Sequence, residues 1–389
     1  MVLEIRLCNF FSIDREVTLE MQAANLQTKE SKALLGNTFV CDSERLLKTV
    51  AIYGANASGK SNIIKAIRAC VQLIFESHNY NENTVFPFTP FKFGGGGKPS
   101  SFFIRFMINE IEYEYSFSLT NTEIITEELS YSPNGRKKLV FSRDERKGPD
   151  KKNIYEFKSA IRRPMDVAAN TSKKTLFVSR ASQMDRDVAK DVFRYFNERF
   201  ILNYYGYNSF SIASLLNSNK DLILKVLKAA DSDIIDIHSQ QELKSLTTFH
   251  KNNPEIPFDF YTEESIGTQV FFNMMLTILN IIKENKVLLI DEISTGLHVS
   301  LVEYILDLFH QSESAQLIFS THNTNLLDMK KLRKDQVYFV NKRADGSSDL
   351  YSLFDYKDFR ENMDAEKAYL QGRFDAIPYI DESFGSLLK

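Results

Sequence analysis

Cysteine is scarce in this 389-residue chain: Cys8, Cys41 and Cys70 stand far apart, with no C-x-x-C pair. Three scattered thiols make neither a disulfide framework nor a zinc site, and they suit a reducing cytosol. An excess of one charge is also missing. The 48 Lys and Arg nearly balance 51 Asp and Glu, and the net charge of −3 argues against a globally basic nucleic-acid coat while leaving room for a local basic face. No run approaches roughly 18 consecutive apolar residues, so no membrane span is expected. The first residues lack the basic n-region and continuous apolar stretch of a secretion signal. Internal repeats and long heptad arrays are absent from the pattern as well. What is present is 43% hydrophobic and 12% aromatic residues, enough to fill a sizeable core. The expectation is a soluble cytoplasmic globular protein with roughly two or three lobes.

Apolar–polar alternation predicts strands at Val2–Leu7, Val17–Met21, Phe102–Ile108, Glu112–Leu119 and Ile124–Tyr131. Leu46–Tyr53 reads as one buried strand leading into a glycine-containing turn, after which Ile63, Ile67, Val71 and Ile74 recur at helical spacing. Pro87, Pro90 and Gly94–Gly97 mark a loop. The pattern turns helical between Thr175 and Ile237, and Val287–Ile290 and Leu317–Ser320 are short apolar runs typical of buried parallel strands. The expected organisation is an N-terminal lobe over 1–135, a basic and helical insertion over 136–250, and a C-terminal lobe over 251–389.

Gly54-Ala55-Asn56-Ala57-Ser58-Gly59-Lys60-Ser61 fits G-x-x-x-x-G-K-[ST] at every defined position, between an expected strand and an expected helix. The glycines let the backbone wrap a phosphate with its N–H groups inward, and the helix that begins with Lys60, Ser61 and Asn62 adds its positive end. Lys60 is placed to reach the β- and γ-phosphates of a nucleoside triphosphate, and Ser61 to ligate Mg²⁺. Further on, Lys286–Ile290 is an apolar strand ending in Asp291-Glu292. Asp291 is the expected second metal partner, and Glu292 the group that positions or deprotonates an attacking water. Another apolar strand ends in Thr321-His322, which puts His322 where a γ-phosphate contact is needed.

Asp291 follows Lys60 by about 230 residues, more than a compact hexameric motor uses, and Asn341–Asp345 misses the guanine motif N-K-x-D by one residue. Upstream of Asp291, Glu264-Ser265-Ile266-Gly267-Thr268-Gln269 resembles the ABC signature S-x-G-x-Q. A hydroxyl from Ser265, close backbone approach at Gly267 and a helix start through Thr268 suit an anion. Ser294–His298 stands in the D-loop place. Together with Asn9–Ile13 (NFFSI), Ser320-Thr321-His322-Asn323 and the tail runs Leu332–Gln336 and Tyr369–Phe374, the chain resembles the bacterial SMC/OLD-like ABC ATPases. It is similar in particular to the stand-alone antiphage ATPases of RloA, AbiL, PARIS and Septu type.

That resemblance implies an α/β ABC-type P-loop ATPase head with an antiparallel β subdomain and a helical insertion. It also implies ATP and Mg²⁺ as cofactors, a head-to-tail dimer or higher even oligomer, and control of a nuclease or toxin encoded nearby. The chain departs from the pattern at three places: Phe11 stands where relatives carry arginine, Val299 replaces a proline, and no glutamine occurs between Gln72 and Gln183. The missing Q-loop residue is sought near Phe86–Phe93. Arg136–Lys174 holds 13 Lys and Arg against 5 Asp and Glu, either a solvated insertion or a surface for nucleic acid or an acidic partner. The aromatic tail after Phe354 is either core or a docking surface. A DNA-repair ATPase of RecF or Rad50 kind, and a scaffold gated by nucleotide without turnover, are the alternatives.

Overall fold

The computed structural model describes residues 1–81, 83–202, 209–240 and 245–377. The chain opens with β1 (Val2–Cys8) and β2 (Val17–Glu20), whose alternating burial is that of strands with one face on a core. After α1 (Lys29–Ala33), β3 (Thr38–Cys41) and β4 (Glu44–Leu47) pair as a hairpin, and β5 (Thr49–Tyr53) runs into α2 (Lys60–Glu76). β6 (Ser100–Ile108), β7 (Ile111–Leu119), β8 (Ile124–Ser132) and β9 (Lys138–Asp144) pair antiparallel in chain order, followed by α3 (Lys151–Ile154) and β10 (Tyr155–Phe157). Helices α4 (Pro164–Ala169), α5 (Phe177–Gln183) and α6 (Asp187–Arg194) lead through β11 (Phe200–Ile201) to α7 (Ser209–Ala230). β12 (Ile234–Gln240), β13 (Ser245–His250) and β14 (Asn253–Asp259) form a small antiparallel sheet. The remainder alternates helix and strand: α8 (Ile266–Lys283), β15 (Val287–Ile290), α9 (Val299–Gln311), β16 (Gln316–Ser320), β17 (Val337–Lys342), β18 (Ser348–Ser352) and α10 (Ala365–Leu370).

Two sheets carry the architecture. One is antiparallel, in the order β10-β9-β8-β7-β6-β1-β2; the other runs β11-β15-β16-β5-β17-β18 and is parallel apart from β18. Strands covered on both faces need apolar residues throughout, and every residue of β5, β15 and β16 is buried. Their side chains alternate between two cores. Val50, Ile52, Leu289 and Ile318 join the core of α2 and the antiparallel sheet, while Ala51, Leu288, Ile290 and Phe319 join that of α8 and α9. The predicted stripe Ile63, Ile67, Val71 and Ile74 is fully buried in the first.

The span 175–237, expected to be helical, also holds β11 and the start of β12; at two other departures from the sequence pattern a charge is the cause. Leu46–Tyr53 is two strands, broken at Lys48, whose buried ammonium donates to the carbonyls of His310 at 2.8 Å and Ser312 at 2.6 Å. The negative end of α9 holds that cation and turns the chain from one sheet to another. The basic stretch is not detached either: β9 and β10 extend the antiparallel sheet beyond the 1–135 span. Arg143 is fully buried, 2.8 Å from Glu145 and 3.6 Å from Glu127. Lys137 pairs with Glu114 and Lys173 with Glu123, so part of the local cation excess faces carboxylates from outside the stretch. α8 is long and apolar enough to cross a membrane by length and composition, yet Phe271, Phe272, Met274, Met275 and Ile278 are fully buried in the second core. In the tail, Tyr369 and Phe374 stack on Phe339 at 5.7 and 4.8 Å, which makes this part core; residues 378–389 lie outside the described residues.

Candidate functional site

The chain passes from β5 to α2 through a loop that only small residues can follow. A Cβ on Gly54 would stand 2.5 Å from the carbonyl oxygen of Val340, and one on Gly59 2.0 Å from Ser348 Oγ. Gly59, with φ 113°, is the residue before the helix, and Ala57 also takes left-handed backbone at φ 62°. The result is an open cradle over Gly54, Ala55, Asn56, Ala57 and Ser58, whose Ser58 hydroxyl is buried with no partner. Lys60 closes it: its ammonium donates to the carbonyls of Gly54 at 2.9 Å and Ala55 at 3.1 Å. Burial pulls that ammonium below the usual lysine range, and the nearby Glu292 and Asp291 carboxylates push it back up. A backbone cradle and an enclosed lysine fit a chain of phosphates.

Two carboxylates reach this loop from β15. Ser61 Oγ donates to Asp291 Oδ1 at 3.1 Å, and Ser320 Oγ donates to the same oxygen at 2.6 Å. Among the described residues no group of three His, Cys, Asp or Glu side chains forms a cation cage. Mg²⁺ needs none, since it binds through one or two protein oxygens plus phosphates and water, and Ser61 with Asp291 supplies hard oxygen donors of that kind. Glu292 is held at φ 55°, a conformation that non-glycine residues adopt mainly under tertiary constraint. Its N–H donates to Ser320 Oγ at 2.8 Å; its carboxylate lies 3.7 Å from Lys60 Nζ and 2.8 Å from His322 Nδ1. Topology explains the convergence. β16 lies between β5 and β15, so the three strand ends deliver the loop, the Asp-Glu pair and His322 to one carboxyl edge.

The signature residues form a second group. Ser265 caps α8, accepting from the Thr268 N–H at 3.1 Å with its hydroxyl 2.8 Å from that of Thr268. A Cβ on Gly267 would come within 3.1 Å of the Gly296 carbonyl, so the start of α8 lies against the Ser294–His298 segment. No side-chain hydrogen bond joins Ser265 or Thr268 to the phosphate loop, and Ile266 between them is 75% exposed. His298 accepts from the Ser300 N–H at 3.2 Å and caps α9.

NFFSI and β18 bring further polar residues to the loop. Asn62 Nδ2 donates to Ser12 Oγ at 2.8 Å, and Ser348 Oγ lies 2.7 Å from Ser12 Oγ and donates to the Ser58 carbonyl at 2.6 Å. Asn9 donates to the carbonyls of Gly95 and Lys98 and accepts from the Phe91 N–H, tying NFFSI to the loop in which the Q-loop residue was sought. Ser320 had a signal, its place before Thr321-His322, and Ser12 had one in NFFSI; lone Ser348 had none.

Among solved structures, the chain is similar to an Smc head bound to the C-winged helix domain of ScpA, at 15% identity over 90% of this chain and 97% of that one, with TM-score 0.46. An SMC head domain from Thermotoga maritima gives 14% identity, 90% and 98% coverage and TM-score 0.41. An Smc head with extended coiled coil bound to the C-terminal domain of ScpA, derived from Pyrococcus furiosus, gives 13%, 96%, 98% and 0.42. No curated protein matches. The family described as "AAA domain, putative AbiEii toxin, Type IV TA system" matches residues 50–328, from β5 to just beyond His322 and well over half of the chain. With that match and a complete phosphate loop between β5 and α2, the chain belongs to that family.

Proposed function

We propose that this protein binds ATP with Mg²⁺ and hydrolyses it slowly, at composite sites between head-to-tail subunits, and that the nucleotide state controls a partner effector, a nuclease or toxin, in antiphage defence. The observation that carries the reading is Glu292, fixed in left-handed backbone between Lys60 and His322 and next to the Ser61–Asp291 pair. In this reading Gly54 to Asn62 wrap the phosphates, Lys60 neutralises them, and Ser61 and Asp291 hold the ion. Glu292 takes a proton from the attacking water, and His322 orients that carboxylate and faces the γ-phosphate. A protein that only bound nucleotide would need no second carboxylate held at that angle. Ser265, Gly267 and Thr268 of a second copy complete the site. In this reading the head is built from residues 1–135 and 251–389 together with β9, β10 and β11 of the 136–250 insertion, and the rest of that insertion carries the arm that meets a partner.

The test is Glu292→Gln. It is expected to keep ATP binding, accumulate an ATP-bound dimer by mass photometry, and lower steady hydrolysis by about 100-fold or more, the scale of a lost general base. Undiminished turnover in that variant removes Glu292 from the chemistry. Hydrolysis in the wild type that depends on added DNA and needs no partner would favour direct action on DNA instead.

A further inference from the structure

Glu264 stands immediately before Ser265, and where Ser265 is exposed Glu264 is buried. One oxygen of its carboxylate receives two donors, the Thr248 hydroxyl and His250 Nε2–H, the latter at 2.8 Å. Thr248 and His250 are two residues apart on β13, the middle strand of the small sheet, and so share one of its faces. The His250 ring lies against Phe258 of β14, with centroids 4.7 Å apart. From the helix side, Gln269 Nε2 donates to the carbonyls of Glu264 at 2.9 Å and Tyr261 at 3.2 Å, and the Gln269 N–H donates to the Ser265 carbonyl at 3.1 Å. Phe260, at the head of the turn, is fully buried against Phe272 of α8, with centroids 5.0 Å apart. The turn 260–265 and the first turn of α8 are thus one block, and Glu264 pins that block to β13.

A buried carboxylate costs more than an apolar side chain filling the same space, and losing one of its donors costs more again. What two donors on one oxygen add is a fixed direction. Direction matters at this place. The side-chain hydrogen bonds of Ser265 and Thr268 stay within their own turn, and in the reading above these residues serve a nucleotide held by another subunit. We propose that His250 is a positioning residue for the composite ATP site: through Glu264 it fixes the angle at which Ser265 is presented to the nucleotide of a second copy. His250 itself touches neither nucleotide nor ion. The proposal rests on the composite-site reading and adds a residue of β13 to it.

The test compares His250→Ala, which deletes the donor, with His250→Gln, whose amide N–H reaches the place of Nε2 and keeps it. His250→Ala is expected to lower kcat about ten-fold or more, the scale on which a small misplacement acts. Affinity for ADP with Mg²⁺, which lacks the γ-phosphate that the signature meets, should stay within about two-fold by calorimetry, because the cradle is untouched. His250→Gln should restore most of the rate. His250→Asn, whose shorter amide reaches only the place of Nδ1, should behave like the alanine variant and decides the matter if that one does not fold. Mixing then locates the fault. His250→Ala keeps its cradle and lends a displaced signature, so a one-to-one mixture with Lys60→Met should hydrolyse faster than either alone, and one with Ser265→Arg should not. The proposal falls if kcat is unchanged, if ADP affinity drops with it, if His250→Gln is no better than alanine, or if the Lys60→Met mixture shows no gain. A mixture of Lys60→Met with Ser265→Arg separates the two failures. Where that pair stays inactive, the composite site fails and the proposal with it; where that pair recovers and the His250→Ala pair does not, the proposal alone fails.

Discussion

Ser61 and Asp291 are 230 residues apart in sequence and 3.1 Å apart in space, and the hydrogen bond between them is what a bound Mg²⁺ has to replace. Replacing Ser61 with alanine deletes one hard oxygen while leaving the cradle and Lys60 in place. ATP affinity measured by calorimetry with Mg²⁺ should therefore drop about ten-fold or more, the scale of losing a partner in a metal shell. Affinity in EDTA should barely change. Equal losses in both conditions would mean that Ser61 shapes the loop and does not serve the ion. At this scale the sequence was readable wherever the expected function occupies neighbouring positions: the loop from Gly54 to Ser61 and the Asp291-Glu292 pair are each contiguous, and the structure brings the two together. Ser12, within NFFSI, and Ser348 meet at Asn62 and Ser58 only after folding, and Ser348, a lone serine at a strand start, carries no distinguishing pattern.

Elements were legible where one face is buried and the other is not, or where both are. They were misread where an ionic group decides the chain's path. Lys48 looks like a minor interruption in an apolar run, but its capture by the end of α9 separates β4 from β5. β9 and β10 lie in sequence that looks solvated and basic, and the inward Arg143 of β9 is indistinguishable from the exposed Lys138 without Glu127 and Glu145. The Lys48 junction has a consequence for stability. His310, in the last turn of α9, sits 3.0 Å from Thr49 Oγ1 and 3.4 Å from Gln336 Nε2. Burial, and then the positive charge of Lys48, lower its pKa from 6.5 to about 4. Between these values the unfolded chain holds a proton that the folded chain does not, so stability is full above pH 6.5 and is lost as pH falls toward 4. The loss attributable to this residue is up to roughly 3 kcal/mol at about 1.4 kcal/mol per pKa unit. Thermal melts of the wild type and His310→Gln at a series of pH values check it: the variant should show a shallower decline across that window. An identical slope assigns the acid sensitivity to other groups.

For the whole molecule, what matters is that the two halves of the expected catalytic apparatus are not joined within one chain. The loop, Asp291, Glu292 and His322 hydrogen-bond with one another, while the side-chain hydrogen bonds of Ser265 and Thr268 stay within their own turn. Ile266, exposed beside them, gives that helix start an apolar surface suited to contact. A two-fold pair would set the start of α8 in each subunit against the cradle of the other and create two equal sites at once. Ser265→Arg spoils what a subunit lends, and Lys60→Met spoils what it keeps, so each variant alone should be inactive. In a one-to-one mixture, half of randomly formed dimers combine the two, and each of those has one site with an intact loop and an intact signature. Hydrolysis should recover to roughly a quarter of the wild-type rate. A site completed within a single chain cannot be rescued this way, because no subunit in the mixture has both parts; a mixture as inactive as its components would therefore remove the partner from the chemistry.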